Sequence, residues 1–402
     1  MTAPLNPALF HFDPQVTWVM HCAEGPVPRA AMRAVRAFMF KELQPWKSDF
    51  RADFIGLPAA VRREGARILG AEAEDLSLVA NTSDGLQRVA MGFPWQAGDE
   101  VLVPLGEFPS NAWPWKAQGQ RGVSFREVPL WEGHRAGAEA WASAPPTAEA
   151  DPEARLLAAL GPSTKVLTLS WVRFQDGLKL DLPKLAAGCA ERGVALVVDA
   201  IQGLGTSVVP SLAGISALAS SGHKGLLAPQ GLGLLWTEPA FRASLVPSGS
   251  WLSVEGATDF ARPNTDLDRA WLANGERLEA GVPNLLGCAA LVESLKAITH
   301  AGVASIEAHV RKLQHRLLSR LEGSAWDAEA ARLRGLLEAD RLGSILAFHH
   351  RGLSPETLQA ALHKGMRQGV YASVREGYLR VALHGFHTEA DVDRVAAWMR
   401  NG

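Results

Sequence analysis

The chain has few cysteines for its length of 402 residues. The three that it has, Cys22, Cys189 and Cys288, are odd in number and far apart in sequence. This spacing argues against a disulfide framework and fits a protein of a reducing compartment. We therefore expect three free thiols, each acting as a small buried hydrophobic side chain.

The chain also lacks a charge excess and a long hydrophobic run. Its formal net charge is −2, so it lacks the basic character typical of proteins that bind nucleic acids. A run of about 18 apolar residues, the length of a candidate membrane span, is absent from the sequence. The N-terminal stretch MTAPLNPALFHFDP has no basic segment followed by an apolar core, so we predict no signal peptide. These features predict a cytoplasmic protein whose partners include neither a membrane nor a nucleic acid.

What the chain does have is an ordinary globular composition, with 47% hydrophobic and 20% charged residues. Its length is sufficient for two domains with a large core. Short apolar runs rich in Val, Leu and Ile recur, and helix-like stretches such as 182–193 lie between most of them. This alternation predicts an α/β fold with a mainly parallel sheet that helices cover on both faces. The runs are LSLVA (76–80), EVLVP (100–104), VSFREVP (123–129), KVLTLSW (165–171), ALVVDA (195–200) and LGLLW (232–236).

Beyond about residue 285 the pattern changes to that of a compact α+β unit. The sequence predicts one long helical tract from Leu286 to Leu321 and an apolar stretch at 341–352. It then predicts a helix from Ser354, a short pair of strands within 369–384 and a terminal helix from Thr388. We find no internal repeat and no low-complexity segment in the chain.

Polar residues cluster where several of the predicted strands end. Because open α/β sheets bind ligands at the C-terminal ends of parallel strands, we expect these residues to converge. Each alone is a weak signal, since a Thr or Ser before a helix is usually only a cap. The GLG at 231–233 precedes a strand and lacks a third glycine, so it is not a dinucleotide-binding motif. The residues concerned are Asn81, Thr82 and Ser83 after LSLVA, Asp199 and Gln202 in DAIQGLG, and Ser221, His223 and Lys224 in SSGHKGLLAPQGLG.

In combination these stretches resemble the class V aminotransferase family of fold-type I pyridoxal-phosphate (PLP) enzymes. That family includes cysteine desulfurases, selenocysteine lyases, kynureninase and isopenicillin-epimerase-like proteins. The similar stretches occur in family order over roughly residues 20–395, and the pairing of DxxQ with SxHK is the most specific of them. They are NTSDGLQRVA, EFPSNAWPW, VVDAIQGLG, SSGHKGLLAPQGLG, RLEAGVPN and YLRVALHGFHTEADV.

The resemblance implies a large PLP-binding domain and a smaller C-terminal α+β domain. The large domain, residues 17–285, would contain a mixed, mostly parallel seven-stranded sheet. The small domain would comprise residues 286–402 together with an N-terminal arm, residues 1–16. The resemblance also implies a homodimer with the cofactor near the interface, a small amino acid as substrate and no metal ion.

The resemblance implies two catalytic residues, Lys224 and Asp199. Lys224 would form the Schiff base with the PLP aldehyde and then act as general base at the substrate Cα. Asp199 would pair with the pyridine nitrogen and keep it protonated, so that the ring accepts electrons from the carbanion. Gln202 would donate a hydrogen bond to the ring hydroxyl oxygen.

The remaining cofactor-binding residues implied by the resemblance hold the phosphate and the ring face. Thr82 and Ser83 would bind the phosphate at a helix N-terminus, together with Ser221 and His223. Two backbone N–H groups, those of Asp84 and Gly85, would contribute to the same cradle. Phe108 would stack on the ring. Asn111 matches a position near the phosphate in kynureninase-like members.

For the substrate, the resemblance implies that Arg380 clamps the α-carboxylate, because a planar guanidinium suits two-point binding. Arg375 is a competing candidate for that role. We expect the substrate pocket to be lined by Trp113, Trp171 and Trp251.

Several positions depart from the family pattern and bear on the reaction. Phe108 stands where many desulfurases have a histidine, and a phenyl ring does not move a proton. The segment 370–380 contains no cysteine, although a persulfide needs a thiolate there. Val282 stands where a threonine usually reaches the phosphate of the neighbouring subunit, although Asn284 remains available close by. Gln175 is a possible substitute for an asparagine that contacts the ring oxygen in many relatives.

The resemblance therefore implies a PLP enzyme that acts on an α-amino acid through an external aldimine and a quinonoid intermediate. Aminotransfer and C–S lyase chemistry are equally good readings, and ordinary cysteine desulfuration is disfavoured. Kynureninase-like or epimerase-like chemistry is a third reading. A non-catalytic PLP-binding regulatory protein is an alternative of a different class, and the sequence does not name the substrate.

Overall fold

A seven-stranded sheet carries the predicted site in the computed structural model, which describes residues 2–350 and 352–401. Met1, Arg351 and Gly402 fall within the predicted domain ranges but lie outside the described residues. The strands of the described chain are β1 (Thr17–Trp18), β2 (Leu76–Val79), β3 (Glu100–Pro104), β4 (Ser124–Val128), β5 (Thr164–Ser170), β6 (Ala195–Asp199), β7 (Ala217–Ser221), β8 (Gly233–Thr237), β9 (Ile345–His349), β10 (Val370–Tyr371), β11 (Ser373–Arg375) and β12 (Tyr378–Ala382).

Helices surround these strands. The α-helices are α1 (Arg29–Leu43), α2 (Leu57–Leu69), α3 (Thr82–Gly92), α4 (Trp113–Lys116), α5 (Pro152–Ala159), α6 (Leu182–Ala190), α7 (Pro239–Ser244), α8 (Leu285–Ala301), α9 (Val303–Arg320), α10 (Asp327–Glu338), α11 (Pro355–Arg367) and α12 (Glu389–Asn401). A π-helical segment, Phe50–Gly56, precedes α2. Short 3-10 segments are Pro7–Leu9, Pro45–Lys47, Ala73–Asp75, Pro109–Asn111, Ala117–Arg121, Gly137–Ala142 and Gly275–Leu278. No helix of the described residues is long and apolar enough to cross a membrane.

The large sheet has the strand order β2-β8-β7-β6-β5-β3-β4. Strands β3 to β7 pair in parallel, and β8 runs antiparallel to both β7 and β2. All residues of β3 and β7 are buried, as expected for strands covered on both faces. The predicted α/β fold of the fold-type I kind, with a mixed and mostly parallel sheet of seven strands, is confirmed.

The sheet topology brings the predicted site residues to one edge. Because β2, β6 and β7 point in the same direction, their C-terminal ends meet there. The N-terminus of α3 follows β2, Asp199 ends β6, and Ser221 ends β7.

Local signals explain where the flanking helices begin. The Asp181 carboxylate accepts a hydrogen bond of 3.0 Å from the Lys184 N–H and caps α6, and Asp151 caps α5 in the same way. Both helices have a proline in their first turn, where the missing N–H is not needed.

The C-terminal part contains a separate three-stranded antiparallel sheet with the order β11-β12-β9. The N-terminal segment joins this part of the molecule, since β1 pairs in parallel with β10 and Met20 bridges to Ala382. The predicted domain boundaries, 17–285 for the large domain and 1–16 with 286–402 for the small one, stay a prediction.

The single helical tract predicted from Leu286 to Leu321 is wrong, because the chain forms two helices there. Helix α8 ends at Ala301 and α9 begins at Val303. Gly302 lies between them with φ of 76°, a left-handed conformation that ends a helix and is easy only for glycine.

Candidate active site

A cleft of about 460 Å³ opens at the edge where β2, β6 and β7 end. It collects residues from the large sheet, from the N-terminal segment and from the three-stranded sheet. Of the predicted site residues, eight line it directly, and Asp199 lies buried beside the lining residue Ile201. The lining residues are Cys22, Ala23, Asn81, Thr82, Ser83, Phe108, Ser110, Phe174, Ile201, Gln202, Ser221, His223, Lys224, Gln230, Gly231, Arg375 and Arg380.

Lys224 reaches into this cleft from a turn that is fixed on both sides. Its ammonium nitrogen lies 5.6 Å from the centroid of the Phe108 ring. The Gly25 N–H donates to the His223 carbonyl (2.7 Å), and a Cβ at Gly25 would lie 2.2 Å from the Lys224 carbonyl oxygen. Burial lowers the pKa of Lys224, and the nearby Arg380 cation adds to the effect. A lysine with a lowered pKa carries a larger fraction of free amine, as a nucleophile or base requires.

His384 supports the lysine turn from the C-terminal part of the chain. Its Nδ1 accepts a hydrogen bond from the Gly385 N–H (2.7 Å), so its Nε2 carries the proton and donates to the Gly225 carbonyl (2.9 Å). Burial lowers the pKa of His384 to about 3. The imidazole is therefore neutral at neutral pH, and it holds the residue next to Lys224 through the main chain.

Asp199 is a fully enclosed carboxylate at the end of β6. One oxygen accepts a hydrogen bond from the Ile201 N–H (3.0 Å). Burial raises the pKa of Asp199 to about 7, and the nearby Glu107 carboxylate adds to the rise. Among the described residues, Asp199 has no ion-pair partner within 4.0 Å in the chain. A cation brought next to it would stabilise its ionised form.

Glu107 links several residues around Asp199. Its carboxylate accepts hydrogen bonds from the Phe108 N–H (3.1 Å) and from both the N–H and the hydroxyl of Ser170 (2.5 and 2.6 Å). Ser170 stands directly opposite Asp199 in the pairing of β5 with β6. Glu107 therefore fixes the backbone of Phe108 and places a second buried carboxylate near Asp199.

Hydroxyl groups gather at the N-terminus of α3. The Thr82 and Ser221 hydroxyls lie 2.9 Å apart, and the Thr82 N–H donates to the Ser221 hydroxyl (2.7 Å). The Ser83 hydroxyl donates to that of Ser110 (2.7 Å). These donors and the partial positive charge of the helix terminus suit an anion such as a phosphate.

One detail of the predicted phosphate cradle is different in the structure. The Asp84 N–H donates to the Asn81 side chain (2.9 Å), and the Gly85 N–H donates to the Asn81 carbonyl (3.1 Å). Asn81 therefore caps the helix and already engages the two backbone groups expected to face the phosphate. The hydroxyl groups of Thr82, Ser83 and Ser221 are the donors that remain at the cleft.

Gln202 lines the cleft, and one of its polar atoms has no hydrogen-bond partner among the described residues. Its Nε2 donates to the Cys22 carbonyl (2.9 Å), while its Oε1 is buried without a hydrogen-bond partner. His223 lines the cleft beside it, and burial together with the Lys224 cation lowers its pKa. His223 is therefore a neutral hydrogen-bonding group at neutral pH.

The structure separates the two candidate arginines. Arg380 lies on the central strand β12 and is 3% exposed. Its Nε donates to the Ser373 hydroxyl (3.1 Å) and its Nη1 to the Phe174 carbonyl (2.5 Å). No carboxylate of the described residues lies within 4.0 Å of its guanidinium. Arg375 instead stands exposed at the end of β11.

The expectation that Trp113, Trp171 and Trp251 line the substrate pocket is wrong for this cleft. Trp171 is buried in the core, and a Cβ at Gly203 would lie 2.5 Å from its ring. Trp113 is 63% exposed on α4, and Trp251 is 49% exposed. None of the three indoles therefore belongs to the lining of this cleft. Its aromatic lining consists of Phe108 and Phe174, whose ring centroids lie 5.0 Å apart.

Two further residues lie beside the cleft rather than in its lining. Asn111 is fully buried, and its Oδ1 accepts hydrogen bonds from Trp115 (3.0 Å) and Thr168 (2.6 Å). Gln175 donates to the Gly106 carbonyl and keeps a buried Oε1 without a partner among the described residues.

Sequence reasoning missed several contributors, of which Cys22 is the clearest. All three cysteines are free and buried, as expected, but Cys22 also lines the cleft and its Sγ lies 4.0 Å from the Ser373 hydroxyl. Pairing of the N-terminal segment with the C-terminal part brings it there, and its carbonyl accepts a hydrogen bond from Gln202, 180 positions away. Glu107 was visible as the first residue of the EFPSN stretch but carried no role.

The donor set of the cleft fits PLP. Hydroxyls at a helix N-terminus suit its phosphate, and Asp199 suits a protonated ring nitrogen. Gln202 Nε2 gives one N–H to the Cys22 carbonyl and has a second N–H for the ring hydroxyl oxygen, whereas its unsatisfied Oε1 is an acceptor. Phe108 offers a ring face 5.6 Å from the Lys224 nitrogen.

The chain is similar to several known proteins over most of its length. It is 28% identical to isopenicillin N epimerase of Streptomyces clavuligerus, covering 96% of this chain and 94% of that protein. It is 24% identical to a probable cysteine desulfurase of Methanothermobacter thermautotrophicus, covering 82% and 80% of the two chains. A solved structure of the cystine C–S lyase C-DES with its product cysteine persulfide superposes with a TM-score of 0.81 at 21% identity, covering 96% of this chain and 98% of that one.

The model of the aminotransferase class-V family matches residues 27–395, which include the lysine turn, the Asp199 strand and Arg380. The match spans nearly the whole chain of 402 residues. The protein belongs to the aminotransferase class-V family and is a PLP-dependent enzyme.

Proposed function

We propose that the protein acts on an α-amino acid, whose α-carboxylate is bound by Arg380 and whose Cα proton is moved by Lys224. The observation that carries this proposal is the buried guanidinium of Arg380, which has no carboxylate partner among the described residues. A buried charge without a partner is costly, so its natural counter-ion is a ligand carboxylate. Lys224 stands in the same cleft.

Each predicted site residue has a role in this proposal. Thr82, Ser83, Ser221 and His223 hold the phosphate, Phe108 covers the ring, Gln202 binds the ring hydroxyl oxygen, and Asp199 holds the proton on the ring nitrogen. When bound, PLP supplies an aldehyde for the amino group and a ring that withdraws electrons from Cα. The lowered pKa of Lys224, caused first by burial, favours the free amine that takes up the Cα proton.

Aminotransfer and elimination of a group from Cβ, as in a C–S lyase, both follow from this arrangement. Cysteine desulfuration by a thiol on the segment before Arg380 is disfavoured, because the hairpin from Ser373 to Arg380 contains no cysteine. The thiol in the cleft is that of Cys22, which comes from the N-terminal segment. Kynureninase-like and epimerase-like reactions share the same cofactor residues, and 28% identity to an epimerase supports keeping the latter as an alternative.

The test is to load the purified chain with PLP, reduce it with borohydride and map the modified peptide. We expect a near-visible absorption band and a fixed adduct at Lys224. Cysteine, cysteine sulfoxides, kynurenine and pairs of amino acids with keto acids then rank the reactions. A keto acid formed only together with a second amino acid indicates aminotransfer, whereas release of ammonia and a Cβ group indicates elimination. A band that no amino acid alters would contradict the proposal.

We also propose that the chain forms a homodimer. Large apolar side chains are exposed on α1, on the 3-10 segment Pro45–Lys47 and on the loop after α7, including Phe40 (65%), Leu43 (71%), Trp46 (78%) and Leu267 (91%). Several large apolar side chains exposed in this way are typical of a protein that buries them in an interface. Sedimentation should give twice the mass of 43.1 kDa, and Trp46→Glu with Leu267→Glu should shift it toward the monomer. A monomer at all concentrations would refute the proposal. The cytoplasmic location stays a prediction.

A further inference from the structure

We propose that Arg375 binds a second anionic group on the substrate, so that the enzyme prefers α-amino acids with an acidic side chain. The acidic group is a carboxylate, a sulfinate or a sulfonate. This inference rests on the proposed function, because it takes Arg380 as the site of the α-carboxylate.

The charges of the cleft point to an anionic ligand. Lys224, Arg375 and Arg380 line it, whereas no aspartate or glutamate does so among the described residues. Lys224 reacts with an aldehyde and Arg380 takes one carboxylate, so Arg375 is a cation that a neutral amino acid leaves without a partner. The hydroxyls proposed to bind the phosphate lie at the edge of the seven-stranded sheet, away from the hairpin that carries the two arginines.

Arg375 has no acidic partner of its own. Its Nη1 donates a hydrogen bond to the Val374 carbonyl (3.0 Å), within its own strand. No carboxylate of residues 2–350 and 352–401 lies within 4.0 Å of it. Burial lowers the pKa of Arg380 and the neighbouring Arg375 cation lowers it further, while Cys22 and the Glu376 carboxylate act in the opposite direction. Two anionic groups on one ligand would relieve the repulsion between these cations.

The backbone fixes Arg375 at the mouth of the cleft. Arg375 pairs with Tyr378 across the β11–β12 hairpin. The two residues between them, Glu376 and Gly377, have φ of 46° and 84°, which are the values of a two-residue turn that matches strand twist. Glu376 adopts a conformation that non-glycine residues rarely take. Such a tight turn fixes the backbone position of Arg375, from which its exposed side chain reaches the cleft.

The two arginines are placed for two groups rather than for one carboxylate. Arg380 is buried and its Nε and Nη1 are engaged by Ser373 and Phe174, which leaves its other N–H donors for a ligand in the cleft that it lines. Arg375 is exposed and approaches from the rim. We expect the two acidic groups of one α-amino acid to contact one arginine each, since both line the same cleft.

The first experiment measures binding to the protein without cofactor, by calorimetry with succinate, glutarate and butyrate. We expect the better dicarboxylate to bind about tenfold or more tightly than butyrate, since hydrogen bonds to charged groups contribute at this level. Arg375→Gln should remove most of that difference, and Arg375→Lys should retain part of it. Arg367→Gln, an exposed arginine on α11 outside the cleft, is the matched control and should keep the full difference.

The second experiment uses the enzyme loaded with PLP and pairs of substrates of equal shape. Aspartate is compared with asparagine, glutamate with glutamine, and cysteine sulfinate and cysteate with cysteine. We expect the ratio of kcat/KM within the preferred pair to favour the acid, and to fall about tenfold in Arg375→Gln. Comparison of the carboxylate substrates with cysteine sulfinate and cysteate shows which acidic group the enzyme prefers.

Equal kcat/KM for acid and neutral partners in every pair, or a preference that Arg375→Gln leaves intact, would overturn this inference. Turnover of neutral amino acids with an adduct at Lys224 would still support the proposed function in that case. Failure to form the adduct or to convert any amino acid would instead overturn the proposed function, and this inference with it.

Discussion

Replacing Asp199 by asparagine should stabilise the protein without cofactor and weaken its binding of PLP. The Asp199 carboxyl is fully buried, and burial raises its pKa from an ordinary 3.8 to about 7. Because the folded protein holds this proton to a higher pH than the unfolded chain, stability falls as pH rises between these values. At about 1.36 kcal/mol per pH unit, the penalty above about pH 7 amounts to about 4 kcal/mol. Asparagine has the same shape and no charge.

The assay is guanidinium unfolding of the cofactor-free protein at several pH values from 4 to 8. We expect Asp199→Asn to match the wild-type free energy of unfolding near pH 4 and to exceed it by up to about 4 kcal/mol at pH 8. With PLP bound, a cation beside the carboxylate offsets the penalty, so the variant should lose affinity for PLP. A difference between the two proteins that does not vary with pH would refute the reasoning.

Asp53 provides a control of opposite sign. Burial raises its pKa, but hydrogen bonds from Lys41 and from the Asp49 N–H outweigh burial and hold the pKa below its ordinary value. Its contribution is therefore present at neutral pH and is lost on acidification. Asp53→Asn should lower the stability at pH 8, and the difference from the wild type should shrink as the pH falls below the ordinary Asp pKa of 3.8.

Three further predictions concern the cleft. Lys224→Ala should abolish the borohydride-fixed adduct and turnover while leaving the circular dichroism spectrum intact; a remaining adduct elsewhere would contradict the assignment. Arg380→Gln should reduce kcat/KM by about 30-fold or more for every α-amino acid, because truncating one partner of a buried charge pair costs about 2–5 kcal/mol. An unchanged kcat/KM for all substrates would count against it. His384→Leu should weaken PLP binding and lower kcat because the donor to the Gly225 carbonyl is lost, whereas His384→Gln retains a donor. Since burial lowers the His384 pKa to about 3, the effect should not vary between pH 6 and 9. Equal loss of binding and kcat in both variants would refute the hydrogen-bond explanation.

The residues that sequence could predict are those whose neighbours in the chain fix them. Lys224 lies between Ser221 and the β8 strand, and Asp199 ends an apolar strand, so local patterns located both at the strand ends where the cleft forms. The mainly parallel sheet followed from the alternation of apolar runs with helices, and its seven strands followed from the family resemblance. Gly302 was a local signal too, but a glycine within a helical pattern also occurs without ending the helix.

The residues that sequence could not place depend on pairing between distant segments. Arg375 and Arg380 are five positions apart and look alike in sequence, yet the central position of β12 in its sheet buries only Arg380. Cys22 enters the cleft through pairing of the N-terminal segment with the C-terminal part of the chain. The tryptophans were assigned to the pocket by their chemistry alone, and packing placed Trp171 in the core instead.

The charges of the cleft explain why stability and function oppose each other here. Asp199, Lys224 and Arg380 are each largely removed from water, and none has an ion-pair partner within 4.0 Å among the described residues. Burying such groups without partners destabilises the cofactor-free chain. The protonated ring of PLP beside Asp199 and a substrate carboxylate beside Arg380 would supply the missing partners. Binding of these ligands should therefore raise the free energy of unfolding as well as complete the site. The same substitutions that stabilise the empty protein should therefore weaken binding, and Asp199→Asn is the variant in which both effects are measurable on one residue.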